Sequence, residues 1–69
     1  MPVTYEILVA GHLDPCWSEW LEGMCILPQD SGDTLLRGEL ADQCALYGLL
    51  NRIRDMNLKL LWVKTVTEL

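Results

Sequence analysis

Positive charge is scarce in this chain. Its 69 residues include five Lys and Arg against ten Asp and Glu, which gives a net charge of −5. Residues 1–51 carry eight acids and one base, a net of −7, and residues 52–69 carry four bases and two acids, a net of +2. Because nucleic acids are bound chiefly through Lys and Arg, we expect no nucleic-acid partner. The asymmetry favours contact between oppositely charged surfaces of an oligomer, within a screened reach of about 10 Å.

Long apolar runs are also missing. No stretch approaches the ~20 apolar residues that span a bilayer. The N-terminus lacks the basic region of a secretory signal peptide, and the apolar run at residues 5–10 has the length of a strand. The sequence therefore predicts a cytoplasmic protein with no membrane partner.

The cysteines lack the spacings of a metal site or a disulfide framework. Cys16, Cys25 and Cys44 are an odd number, and neither C-x-x-C nor H-x-x-x-H occurs. Secreted disulfide frameworks are normally even and denser, and a metal site needs three or four converging ligands. We therefore expect no metal, no cofactor and three free, partly buried thiols.

Histidine occurs once, at position 12. His12 could act as a base with Asp14 or activate Cys16, but acid–base catalysis needs a geometry and a tuned pKa that spacing alone does not supply. The alternative is that Asp14 caps a helix while His12 forms a local hydrogen bond. We favour this alternative, name no catalytic residue and expect a protein that is not an enzyme.

Apolar side chains are present in excess. They make up 51% of the residues, whereas a domain of this size removes only about 60% of its unfolded surface from water. Small domains usually need further support from a metal, disulfides, a partner or dense packing. Surplus apolar surface commonly marks an association site. The composition predicts one domain over residues 1–69 that forms a homodimer or a larger assembly.

The period of the apolar residues predicts four strands and two helices. Strands are predicted at residues 3–11, 24–27, 34–38 and 58–67. A longer second helix is predicted from the N-cap Asp42 to Met56, with Asn57 in the left-handed region. A short first helix, or else an irregular connection, is predicted between Asp14 and Gly23. Asp14 and Pro15 are typical of a helix start. An apolar stripe at helical spacing follows them, formed by Trp17, Trp20, Leu21 and Met24.

This βαββαβ order predicts an α+β, two-layer ferredoxin-like domain. Hairpin pairing and right-handed crossovers lead to a four-stranded antiparallel sheet in the order 4-1-3-2, with both helices on one face. Glu6, Leu8 and Ala10 would lie on the other face, together with either residues 60 and 62 or residues 61 and 63. Either set leaves large apolar groups uncovered. We therefore expect sheet-to-sheet or edge-to-edge self-association, with Leu8, Leu60 and Trp62 in the interface.

The aromatic residues allow a different interpretation, in which they wall a ligand pocket. Tryptophan at helical spacing is more often part of a core or an interface. If a ligand binds, we expect its site where the first strand meets the first helix, because a helix N-terminus can hold polar ligand groups. The residues of that candidate site are His12, Asp14, Trp17 and Trp20.

Two segments resemble a family of small bacterial proteins of unknown function. Residues 11–20 fit the pattern G-H-L-D-x-x-W-S-x-W, and residues 42–55 fit D-Q-x-A-L-x-G-L-L-x-x-I-R-D. The resemblance covers nearly the whole chain, with Leu21 where the family usually has Phe. It implies an intact domain and supplies no activity to transfer.

These observations favour a small, acidic interaction or assembly module of unknown specific role. One alternative is a small-molecule-binding regulatory domain with a site near His12 and Trp17, similar to the ligand-sensing domains built on this fold. Another is a small dimeric enzyme, similar to the ferredoxin-like monooxygenases and isomerases, although a fold alone does not imply an activity. A pocket beside His12 and Trp17 would favour the alternatives, and packed rings would favour assembly.

Overall fold

Four β-strands and an α-helix make up most of residues 2–66, the part of the chain that the computed structural model describes. Their bounds are β1 Val3–Val9, β2 Cys25–Pro28, β3 Thr34–Leu40, α1 Gln43–Asp55 and β4 Leu60–Thr65, with a 3₁₀ turn at Pro15–Trp17. The structure is α+β, as predicted. Residue 67, which the sequence assigned to the last strand, lies outside the described residues.

The strands form one antiparallel sheet in the order β2-β3-β1-β4, which confirms the predicted order 4-1-3-2. β1 lies in the centre, with Ile7 opposite Leu36 of β3 and opposite Val63 of β4. β3 pairs in turn with β2, where Ile26 lies opposite Leu36. Residues that lie opposite one another in a sheet point to the same face, so this register decides which side chains share a surface.

The predicted first helix is wrong, and with it the βαββαβ order, because α1 is the one α-helix among residues 2–66. After the turn at Pro15–Trp17 the chain follows irregular turns to β2. The Ser18 hydroxyl donates to the Met24 carbonyl (2.7 Å), and Glu22 and Gly23 take positive φ angles of 59° and 74°. Left-handed residues end a helix, so the single turn that closes at Leu21 cannot continue as a helix toward β2. The segment is the irregular connection that the sequence allowed as an alternative.

Packing explains why the apolar stripe of this connection did not make a helix. Leu21 and Met24 are buried in the core, whereas Trp17 and Trp20 remain 45% and 46% exposed. A short helix needs its whole apolar stripe packed, because its propensity alone does not hold it. Here only two of the four stripe residues enter the core, and Leu13 joins them from the preceding loop.

The second predicted helix is confirmed as α1. The Asp42 side chain accepts a hydrogen bond from the Ala45 N–H (2.9 Å), as expected of an N-cap. Asn57 takes a φ of 60° just beyond the helix end, as predicted. Gly48 is exposed, and a Cβ there would meet no atom beyond its own stretch of helix within 4 Å, so packing does not require a glycine at this position. No helix among the described residues is long and apolar enough to cross a membrane.

The core lies between α1 and one face of the sheet. The single helix therefore covers one face, where two helices were predicted, and the loop between β1 and β2 replaces the missing helix. The opposite face, hereafter the open face, is covered by no helix of residues 2–66. The buried apolar side chains are Ile7, Val9, Leu13, Leu21, Met24, Ile26, Leu36, Leu40, Leu46, Leu49 and Ile53.

Candidate functional site

A row of four large apolar side chains crosses the open face from one edge of the sheet to the other. Leu8 of β1 lies opposite Leu35 of β3 and opposite Trp62 of β4, and Leu35 lies opposite Leu27 of β2. The two ends of this apolar row are the most exposed, with Leu27 at 41% and Trp62 at 40%. Every strand of the sheet contributes one member, so the apolar row is a surface that only the assembled sheet can form.

A row of charged groups runs beside the apolar row, two residues along the strands. Glu6 lies between Arg37 of β3 and Lys64 of β4 in the register. Its carboxylate, 15% exposed, is 3.5 Å from the Arg37 Nη1 and 3.5 Å from the Lys64 Nζ. The Lys64 ammonium also lies 5.0 Å from the centre of the Trp62 ring, within cation–π range. Cys25 of β2 ends this charged row, opposite Arg37.

The predicted interface residues are divided by a β-bulge. Leu8 and Trp62 both belong to the apolar row, but Leu60 lies opposite Val9, a residue buried on the helix side. The register shifts between Leu8 and Val9 and leaves Leu61 without a direct partner on β1. Neither alternating set predicted for strand 4 therefore describes the open face, because the bulge separates Leu60 from Trp62.

The candidate ligand residues lie on the loop that follows β1. This loop begins at Gly11, which has a φ of +86°. The buried Thr34 hydroxyl donates to the Gly11 carbonyl (2.7 Å) and accepts from the Leu13 N–H (3.2 Å). The half-buried Asp33 carboxylate accepts from the Gly11 N–H (3.3 Å). Neither Thr34 nor Asp33 is predictable as an anchor from the sequence, because both lie more than twenty residues away along the chain. His12, between the anchored residues, is exposed.

Asp14 and Cys16 form a local turn. The Cys16 N–H donates to the Asp14 carboxylate (3.0 Å), and this hydrogen bond lowers the pKa of Asp14 below its ordinary value. Loss of hydration raises the pKa of the Cys16 thiol, and the neighbouring Asp14 raises it further. Near neutral pH the carboxyl is ionised and the thiol protonated, whereas a nucleophilic cysteine needs the thiolate. Asp14 therefore caps the 3₁₀ turn, in agreement with the prediction that it caps a helix.

Trp20 is held by the far end of α1. The Arg52 guanidinium donates to the Trp20 carbonyl (2.7 Å), lies 4.7 Å from the centre of its ring and is 3.4 Å from the Glu22 carboxylate. No sequence signal links Arg52 to Trp20, because the two residues are 32 positions apart. Trp17, the other aromatic candidate, lies in the 3₁₀ turn.

Among the described residues, the loop after β1 borders neither a cavity nor a cluster of metal-ligating side chains. No cavity of ligand size occurs among residues 2–66. Within the same residues no group of three or more His, Cys, Asp or Glu converges as metal ligands do. Cys16, Cys25 and Cys44 are free, as predicted, but all three are exposed, so the expectation of partly buried thiols is wrong.

Comparison with known proteins identifies one family. Residues 4–64, which include the open face and the loop after β1, match the model of a family described as a domain of unknown function, DUF8691. No curated protein and no solved structure matches the chain. Since the match covers most of the 69 residues, the chain belongs to the DUF8691 family.

Proposed function

We propose that this protein is a non-enzymatic, self-associating module whose open face packs against the open face of a second copy. The observation that carries the proposal is the apolar row, in which Leu8, Leu27, Leu35 and Trp62 lie side by side across all four strands. An antiparallel sheet with one face on the core normally has a polar, solvated outer face. A continuous apolar row on that face is instead typical of an association surface.

The open face is complementary to itself. A two-fold axis parallel to the strands, between β1 and β3, would place Leu8 against Leu35 and Trp62 against Leu27 of the second copy. The same rotation would set Glu6 against the Arg37 guanidinium of the second copy, so that unlike charges meet. Symmetric dimers are the commonest protein oligomers, and their interfaces have this property.

The size of the face is sufficient for a small dimer. The four strands have 7, 4, 7 and 6 residues, and each residue occupies about 4.8 by 3.3 Å of the sheet, which gives a projected area of about 380 Å² per copy. Side-chain relief makes the accessible area larger than this projection. Two copies therefore reach the range of about 1,000 Å² expected of a specific interface.

Two features of the loop after β1 support a role other than catalysis. Asp14 is engaged in capping the 3₁₀ turn, and the Cys16 thiol has a raised pKa. The ligand-binding alternative at His12 and Trp17 has no comparable observation in its favour. The expected cytoplasmic location is part of the same proposal, and the acidic composition is compatible with it.

Sedimentation equilibrium at tens of micromolar tests the proposal. The wild-type protein is expected at a mass of at least two 7.9 kDa chains. The variant Leu35→Glu places a charge in the middle of the apolar row and should at least halve that mass, since a buried unpaired charge weakens association about 100-fold or more.

Tyr47→Glu provides the matched control, because Tyr47 is an exposed aromatic residue on α1, away from the open face. It adds the same charge and should leave the mass unchanged. A wild-type protein that sediments as a single chain would refute the proposal, and so would equal dissociation of both variants.

A further inference from the structure

The two edges of the sheet differ in a way that the open face does not explain. β2 has four residues and ends at Pro28, and short edge strands with proline resist the addition of another strand. β4 has six residues, contains no proline and exposes Leu60, Leu61 and Trp62. An exposed apolar edge strand is a template for pairing with a further strand.

The hydrogen bonds at the end of β4 show which backbone groups point outward. The Val66 N–H donates to the Thr4 carbonyl (2.8 Å), so these two residues form a hydrogen-bonded pair. Hydrogen-bonded and non-hydrogen-bonded pairs alternate along an antiparallel ladder. By the register of β1 and β4, Val63 and Thr65 occupy the non-hydrogen-bonded positions. Their N–H and C=O groups therefore point away from β1, toward the free edge.

We propose that β4 of a second copy pairs antiparallel with this edge and joins two four-stranded sheets into one sheet of eight strands. The pairing is centred on Val63, which would exchange two backbone hydrogen bonds with Val63 of the second copy about a two-fold axis perpendicular to the sheet. This inference goes beyond the open-face association and uses a different surface.

The side chains of β4 favour a second copy in this register. With Val63 opposite itself, Trp62 lies opposite Lys64 of the second copy on the open face, where an aromatic ring can receive a cation. Lys64 already lies 5.0 Å from the Trp62 ring within one chain, so the two groups have compatible orientations.

The neighbouring symmetric registers are less favourable. A shift in one direction sets Lys64 opposite Lys64, and like charges in directly opposite positions destabilise a sheet. A shift in the other direction sets Val63 against Leu61, where the bulge interrupts the regular edge. Charge complementarity and edge geometry thus select the same register.

Amide hydrogen exchange of the protein at low and high concentration tests the pairing. The Val63 and Thr65 amides should gain at least about ten-fold protection on concentration, because local opening would then require dissociation. The Trp62 and Lys64 amides, which point toward β1, should be protected at both concentrations. The measurement is repeated on Leu35→Glu, so that loss of open-face association and loss of edge pairing can be told apart. Protection of Val63 that does not depend on concentration in either protein would overturn the inference.

Disulfide cross-linking tests the register in a background carrying Cys16→Ser, Cys25→Ser and Cys44→Ser. Val63→Cys should cross-link two copies on oxidation, because a hydrogen-bonded pair has Cα atoms about 5.5 Å apart, within disulfide range. Leu61→Cys is the matched control, since in this register the two substituted positions lie about 13 Å apart along the strands. Yields at least ten-fold higher for Val63→Cys support the register, and equal yields overturn it.

Discussion

At the residue scale, Thr34 is the polar side chain on which the loop after β1 depends. It is fully buried, and its hydroxyl joins the Gly11 carbonyl to the Leu13 N–H. Thr34→Val keeps the shape of the side chain but leaves both groups without a partner. The free energy of unfolding should fall by about 1–3 kcal/mol.

Urea unfolding at one fixed protein concentration measures this loss. Thr65→Val is the control, because Thr65 is exposed on the free edge and should change stability by less than about 0.5 kcal/mol. Equal effects of the two substitutions would contradict the role given to the Thr34 hydroxyl.

Asp14 should make stability depend on pH in the acid range. Its pKa is lower in the folded chain than its ordinary value of 3.8. The ionised carboxylate therefore stabilises the fold above pH 3.8, and this contribution is lost as the pH falls through the folded value. Asp14→Asn keeps a capping side chain without the charge.

The melting temperature of both proteins, followed by circular dichroism from neutral pH into acid, tests this dependence. Wild type should melt above Asp14→Asn at neutral pH, and the difference should shrink as the pH falls below 3.8 and through the lower pKa of the folded chain. A difference that persists unchanged in acid would show that the carboxylate charge is not responsible.

At the element scale, Arg52 connects α1 to the irregular connection before β2. Its guanidinium contacts the carbonyl and the ring of Trp20 and the carboxylate of Glu22. A lysine ammonium cannot make these planar contacts together. Because the group is partly exposed, Arg52→Lys should lower the free energy of unfolding by about 1 kcal/mol.

The same substitution should shift the NMR signal of the Trp20 indole N–H, which reports directly on this contact. Arg54→Lys is the matched control on the same helix, since the contact given for the Arg54 side chain among the described residues is an exposed pair with Asp55 at 3.9 Å. An unchanged Trp20 signal in Arg52→Lys would contradict the proposed connection.

The elements differ in how well the local sequence pattern predicts them. The strands and α1 were predictable because their periods and caps are local, as at Asp42 and Asn57. The first helix was not, because its outcome depended on which residues of one apolar stripe found space in the core. Leu21 is buried in the core, whereas the exposed Trp20 ring contacts Arg52 near the end of α1.

At the scale of the whole molecule, association should contribute to stability. A domain of this size has a small core, so covering the open face adds a large share of its buried surface. Native-state association makes the melting temperature depend on concentration. A ten-fold rise in concentration should raise it by about 3 °C or more, given the small unfolding entropy of such a domain.

Differential scanning calorimetry over a concentration series measures this rise. Leu35→Glu should show a smaller rise than wild type, and Tyr47→Glu should behave as wild type does. A melting temperature that stays constant across the series would contradict association through either surface.

The sequence by itself determined the class, the strand order and the presence of surplus apolar surface. These follow from local period, from the caps and from the restricted handedness of chain crossovers, all of which can be evaluated without coordinates. The amino-acid pattern was also sufficient to place Leu8 on the face opposite the helix, because Ile7 and Val9 alternate with it.

Only the tertiary structure decided which side chains of β4 join Leu8. A shift of one residue reverses the face of every side chain that follows it, and the bulge beside Leu8 is such a shift. It placed Trp62 in the apolar row and Leu60 opposite Val9. The Thr34 and Arg52 contacts were likewise decided by folding, since each joins residues more than twenty positions apart through hydrogen bonds that leave no periodic trace in the chain.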